Sequence, residues 1–327
     1  MKKEKKKKPG KAMIITCSVI AGLLLIYGCL MLFGVQVFYP EFSSKAEKAC
    51  KIPGLSDGFI PQGVTSFEGE SDVFVCGYMQ RAGNSRIYRI SEDGSVVKII
   101  LQREDGTDYK GHAGGITAAG NYVYVSNASK IFVIEKATLL AAKDGDTVKF
   151  AGYFPVTCRS SFCSSDGSFL YVGEYHADGY ETEDSHIITT SDGETHAAFV
   201  YAYALSEEGE YGIADTAKAD KIYSVCDAVQ GFALLPDGRA ALSCSSGASD
   251  SKLRVYDVKG DPDGTAEGLP LYVLDAKRHI SDTRMPHMSE DVECRGGKLL
   301  VGFEAGAKKY GSGLIPFSLS SVYRLSY

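Results

Sequence analysis

The 327-residue chain predicts an all-β fold. The expected architecture is a β-propeller of five four-stranded blades, or six if residues 40–60 hide another, behind one N-terminal transmembrane helix. Three observations carry this. A short pattern recurs five times: a polar start, a strand with small residues, a turn containing Gly, and a second apolar strand. From polar start to the last apolar residue of the second strand the spacing is 13, 13, 12, 12 and 12 residues, and successive starts lie 50, 48, 70 and 59 residues apart. Strand-rich repeats of this period with hairpins inside them mark a propeller. Third, 36 Gly and 20 Tyr with no Trp suit a turn-rich β protein.

The N-terminus stands apart from this repeat. Residues 1–12 read as a basic cytoplasmic tail. They hold seven Lys and one Glu, a charge of +6, so the rest carries −12 against a total of −6. An acidic body of that kind excludes nucleic acid as a partner and suits a cation or plain solubility. Met13 to Val35 is 23 residues without a charge, more than the ~20 that a helix needs to cross a bilayer. Residues 13–35 are therefore expected to be an uncleaved anchor at the cell membrane. Lysines before the span and an acidic body after it orient the N-terminus to the cytoplasm. Val35-Gln36-Val37-Phe38-Tyr39-Pro40 offers no small-residue cleavage site. Ile26-Tyr27-Gly28-Cys29 resembles a lipobox, but Tyr27 fits it poorly and the apolar run continues past Cys29.

Residues 36–60 read as a connector, and residues 61–327 as the propeller. The first unit starts at Gln62-Gly63 and runs to Val75, followed by Arg86 to Ile90 and Val96 to Leu101. The second starts at His112 and runs to Val125, with Ile131 to Ile134 as third strand and Val148 to Phe154 as fourth. The third starts at Ser160 and runs to Val172, with Phe199 to Tyr203 next. The fourth starts at Gln230 and runs to Leu242, with Leu253 to Tyr256 and then Leu271 to Leu274. The fifth starts at Ser289-Glu290-Asp291 and runs to Val301, and Val322 to Leu325 ends the chain on a third strand. The segment around Lys51 is expected to supply the missing outer strand and close the ring.

Of nine Cys, Cys17 and Cys29 sit in the span. The seven outside it form no C-x-x-C, which argues against a zinc ribbon or thioredoxin-type centre. Cys76 and Cys244 hold equivalent strand positions and read as small buried residues. Cys158 and Cys163 are the pair closest to a bridge.

Gln62-Gly63, His112 to Gly115, Met288-Ser289-Glu290, and Phe303-Glu304 with Lys309-Tyr310 resemble motifs of a set of uncharacterised bacterial secreted or membrane-anchored propellers. The chain is distantly similar to the sugar-lactonase, paraoxonase and strictosidine-synthase-like propellers. That wider resemblance implies six blades and a calcium ion in the central tunnel; the nearer one implies no activity.

The length variation falls in the loops between second and third strands, at His176 to Ala198 and Phe303 to Ser321. Both should emerge on the face where first strands begin, which marks that face as functional. Gln62, His112, Arg159, Gln230, Glu290 and Glu304 are the candidate ligand-binding residues there. Glu174, Glu290, Asp291 and Glu304 are the candidate metal ligands, since calcium takes carboxylate and carbonyl oxygens. His112 and His287 are the candidate general bases. His176, His186 and His196 match no compact metal motif, so their insertion reads as a solvated loop. G-x-S-x-G, P-loop, H-E-x-x-H and G-x-G-x-x-G patterns are absent. Asp261-Pro262-Asp263-Gly264 reads as a turn.

These features favour a monomeric, membrane-anchored, extracytoplasmic module that binds a small ligand or an envelope protein. The competing expectation is a calcium-dependent hydrolase of the lactonase or arylesterase type, which requires Glu174, Glu290 and Glu304 to converge.

Overall fold

In the computed structural model, residues 10–311 and 315–327 are described; most of the basic tail and three residues of the last long loop lie outside them. The chain forms a five-bladed propeller behind one long helix.

That helix, Lys11–Phe38, spans 28 residues, about 42 Å at 1.5 Å per residue. It is long and apolar enough to cross a membrane, and Gly34 is its one buried residue. Pro40 then starts a short helix, Pro40–Lys45, where a missing N–H costs nothing. Phe42 from this turn is buried against the rings of Phe303 and Tyr323.

Each blade's inner strand lines the central tunnel. These are Phe59–Ser66, Gly115–Ala119, Ser160–Ser165, Val229–Leu234 and Ser289–Arg295. The second strands are Val73–Met79, Tyr122–Asn127, Phe169–Glu174, Arg239–Cys244 and Lys298–Phe303. Ala46–Lys51 pairs antiparallel with Ser321–Leu325 and supplies the outermost strand of the fifth blade. The ring is thus closed by its first strand and its last.

The outer strands depart from the expected order in three places. The outer strand of the second blade is Gly152–Pro155, whereas Thr147–Lys149 joins the first blade in parallel with Val96–Gln102. Leu269–Val273 joins the third blade, parallel to Lys221–Val225, rather than completing the fourth. The fourth blade is completed by His279–Met285. An apolar run alternates the same way whichever sheet edge it meets, so its sequence does not choose the edge.

Four of the five inner strands carry a register irregularity near their start: at Gln62-Gly63, Ser161, Gln230 and Glu290-Asp291. A bulge adds a residue that the partner strand cannot pair and re-aims its side chain. The glycines beside these bulges are required by close approach. A Cβ on Gly63 would sit 2.4 Å from Ile116 N, one on Gly115 2.4 Å from Cys163 N, and one on Gly231 2.5 Å from Val292 N. Adjacent blades touch backbone to backbone at the mouth of the tunnel. The recurring Gln-Gly pairs therefore encode both the bulge and the contact, and the Gly114-Gly115 pair, on the one inner strand without a bulge, encodes the contact alone. Ala113, Ala228 and Met288, each just before an inner strand, adopt left-handed φ values of 51°, 61° and 59°, a conformation with a steric cost for residues bearing a Cβ.

The far end of the tunnel is plugged by Arg295. Its guanidinium donates to the carbonyls of Ser66 (2.9 Å), Ala118 (3.0 Å) and Ser165 (3.1 Å), one from each of the first three inner strands. It also pairs with buried Glu293, which accepts from Thr117 Oγ1.

The cysteines are all unbridged. Cys158 and Cys163 do not pair: their thiols point to Val172 O and Tyr124 O respectively.

Candidate functional site

The bulges turn polar side chains into the open mouth of the tunnel, where they line a cavity of about 650 Å³. Gln62, His112, Arg159, Ser160, Gln230 and Glu290 contribute from the starts of the five inner strands or the residues just before them. Both long loops form its upper walls. Tyr175, Asp178 and Tyr180 come from the first, and Glu304, Lys309 and Tyr310 from the second. All six candidate ligand-binding residues face this one space.

Its centre is a carboxyl pair. Glu290 is buried and hydrogen-bonded to Glu304. Desolvation, then the charges of Glu304 and Asp291, hold the Glu290 carboxyl well above its usual range. Glu304 is also raised by burial, although Tyr310, Lys309 and Gln62 all favour its charged form. Gln62 Nε2 donates to Glu304 Oε2 at 3.1 Å. Two adjacent carboxyls cannot both ionise cheaply, which adds to burial in disfavouring the charged form of Glu290.

Lys309 stands beside them. Its ammonium donates to Tyr78 Oη at 3.1 Å and lies 5.0 Å from the Tyr310 ring centroid. Bonds to Tyr310 and Tyr78 keep it charged against burial. Tyr78 in turn stacks on His112, ring centroids 4.6 Å apart. Desolvation by the surrounding walls, and then the Lys309 charge, push the His112 pKa down to about 4, although the residue keeps an exposed face. His112 is therefore a neutral imidazole at physiological pH, and its backbone N–H is fixed by Asn127 Oδ1 at 2.8 Å.

The metal candidates are not gathered in one place. Glu304 and Glu290 share the cavity, whereas Asp291 faces the tunnel interior and accepts from Val64 N and Val292 N at 3.4 and 3.0 Å. Glu174 lies outside the cavity. Ser160 pairs with Glu174 in the third blade, and Ser289 pairs with Phe303 in the fifth. The residue equivalent to Glu304 is thus Tyr175, not Glu174, and a one-residue offset along a strand changes face. Among the described residues no group of three or more His, Cys, Asp or Glu side chains is placed to hold a metal ion.

Glu174 instead ends the third blade's second strand and contacts the insertion. His186 and His196 are buried at 2% and 5% exposure, so these two side chains anchor a segment whose other residues are mostly exposed. His186 stacks on Phe199 with centroids 4.5 Å apart, and its Nδ1 meets Glu174 Oε1 at 2.5 Å. Burial opposes the imidazolium, but hydrogen bonds and charge from Glu174 and Glu267 outweigh it and raise the His186 pKa. His287 is absent from the cavity as well; its Nε2 lies 3.3 Å from Ser318 Oγ, and burial lowers its pKa.

Tyr78, Asn127, Tyr175 and Tyr180 were not among the expected site residues. The available signal was positional: Tyr78, Tyr175 and Glu304 all follow the second-strand residue opposite the inner-strand residue just before the bulge.

No family model matches the chain, and no curated protein matches it either. Many solved structures do. The aldose sugar dehydrogenase of Streptomyces coelicolor, solved with bound PQQ, is 14% identical with a TM-score of 0.46, covering 86% of this chain and 96% of that one. The glutaminyl cyclase of Myxococcus xanthus is 9% identical with a TM-score of 0.44, covering 86% and 97%. The hydrazine synthase of Kuenenia stuttgartiensis is 12% identical with a TM-score of 0.36; the match covers 76% of this chain and 55% of that one. At these identities the likeness concerns the fold alone.

Proposed function

We propose that the chain is a membrane-anchored, extracytoplasmic binding module whose ligand is a small polar molecule held at the tunnel mouth. The observation that carries this is the convergence of five inner-strand starts and both long loops on one 650 Å³ cavity. Its walls offer tyrosine faces for stacking. They also offer amides, a carboxyl pair and the Lys309 ammonium for directed hydrogen bonds. That mixture suits a ligand dense in hydroxyl or amide groups. A requirement for calcium is not part of this reading, because the carboxylates it would need are dispersed.

The test uses the full chain in detergent. A panel of neutral sugars, amino sugars and dipeptides is titrated by calorimetry, against wild type and the K309A and E304Q variants. A ligand that binds wild type and loses at least about tenfold, ~1.4 kcal/mol, in either variant supports the assignment. Equal binding by all three proteins, or no binding by wild type across the panel, refutes it. The anchor is tested separately: the chain should stay in membranes after alkaline extraction, with its C-terminal domain cleaved by protease added outside. Release by extraction, or protection from protease, would overturn that part.

A further inference from the structure

A second cavity of about 570 Å³ adjoins the first, with Ser246 lining both. Two thiols stand in its wall. Cys226 lies in the link from the third blade's Lys221–Val225 to the fourth blade's inner strand, and Cys244 ends the fourth blade's second strand. Their sulfurs are 3.9 Å apart. A disulfide has an S–S length of about 2.0 Å, so closing the gap needs a movement of about 1.9 Å. We propose that Cys226 and Cys244 are a reversible dithiol–disulfide site that reacts with disulfide donors entering through this cavity.

The surroundings distinguish this pair from the other thiols. Arg254 and Tyr256 share the cavity wall. The Arg254 Nε is buried without a hydrogen-bond partner, 3.8 Å from Asp282 Oδ1, and the cation is oriented by Tyr256 Oη, 3.4 Å from Nη1. A fixed cation beside a thiol stabilises the thiolate, which is the reactive form. The hydrogen bond from Cys244, and then the charge of Arg254, outweigh burial and bring the Cys226 pKa down to about 7. Burial pushes Cys50, Cys76, Cys158, Cys163 and Cys294 in the opposite direction. Cys244 is raised, by its contact with Cys226 first and then by burial.

The roles follow. The Cys226 thiolate attacks a donor disulfide, forms a mixed disulfide and releases one donor thiolate, which takes up a proton. Cys244 then loses its proton and attacks the Cys226 sulfur, closing the internal bridge and releasing the second donor thiol. Two protein thiols are oxidised and one donor disulfide is reduced to two thiols. The bridge would tie the link between two blades to the body of the fourth.

The experiment equilibrates the reduced full chain in detergent with oxidised glutathione, blocks remaining thiols with a maleimide and maps the peptides. Wild type should yield a Cys226–Cys244 cross-link. C244S should trap glutathione on Cys226 about tenfold or more faster than any other thiol outside the helix reacts. C226S and C226A should leave Cys244 unmodified on that timescale. A wild-type chain that retains both thiols free, a bridge to a different cysteine, or equal reactivity of Cys244 in C226A would overturn the assignment. Thermal melts of each variant identify any that has lost its fold; the wild-type cross-link decides the matter without them.

Discussion

Two strand glycines, Gly63 and Gly302, offer a controlled test of the backbone contact at the tunnel mouth. Neither has a left-handed φ, so alanine is conformationally acceptable at both. In G302A the new Cβ meets Val64 at 3.8 Å, an ordinary contact. Reduced freedom of the unfolded chain then makes this variant neutral or more stable by about 0.4–1 kcal/mol. In G63A the Cβ falls 2.4 Å from Ile116 N and 2.6 Å from Gly115 C, both backbone atoms that no rotamer change can move. Restoring contact distance requires the first two inner strands to part by about 1 Å, an overpacking that costs ~1–3 kcal/mol. Gly115 is itself packed on Cys163 N, so the displacement passes to the third blade. The unfolded-chain gain is common to both variants, so they should differ by the overpacking alone, roughly 1–3 kcal/mol, or about 2–6 °C in melting temperature. The chain has no Trp, so near-UV circular dichroism of its tyrosines follows the melt of the full chain in detergent. Equal melting temperatures for G63A and G302A would refute the claim that the repeated glycines exist for blade-to-blade approach.

Three further outcomes follow. Glu290 has a folded pKa raised above its unfolded value, so its ionisation destabilises the fold as pH rises past the ordinary carboxylate range. E290Q should match wild type near pH 4 and exceed it by about 1 kcal/mol at pH 8 in urea unfolding; a wild type more stable than E290Q at pH 8 would contradict this. His186 has the opposite chemistry but also a raised pKa, so its contribution is complete below its unfolded value and fades as pH climbs through the folded one. H186A strands buried Glu174 and should cost ~3–5 kcal/mol at pH 6, less at pH 9, with early proteolysis between residues 176 and 198; unchanged protease resistance would count against the folded insertion. F42A removes a ring buried at 1% exposure and should cost ~3–5 kcal/mol, whereas a melt unchanged from wild type would mean that the segment after the long helix is not docked.

The parts of the fold that were legible in the sequence are those with a local physical cause. The Gln-Gly start at Gln62 is visible because a bulge and a backbone contact restrict residue type there, and the Gly-Gly at Gly114 because a backbone contact does. The hairpins between first and second strands are visible for the same reason. Leu269–Val273 was assigned to the wrong blade because its alternation is satisfied equally by either edge. The gathering of Gln62, His112, Arg159, Gln230, Glu290 and Glu304 followed from counting repeats. Glu174 was misplaced by one position of strand register, which spacing does not reveal across a bulge. The burial of His186 depends on Glu267, which is distant in sequence, and no pattern around His186 announces that partner.

The pairing of Ala46 with Leu325 has a consequence for biosynthesis. The strand made first waits for the strand made last, and the long apolar helix lies just before it. A nascent chain stopped short of its final strand leaves an open ring with exposed edges. Quality control could read completeness directly, because a truncated product presents unpaired strand edges and a finished one has sealed them.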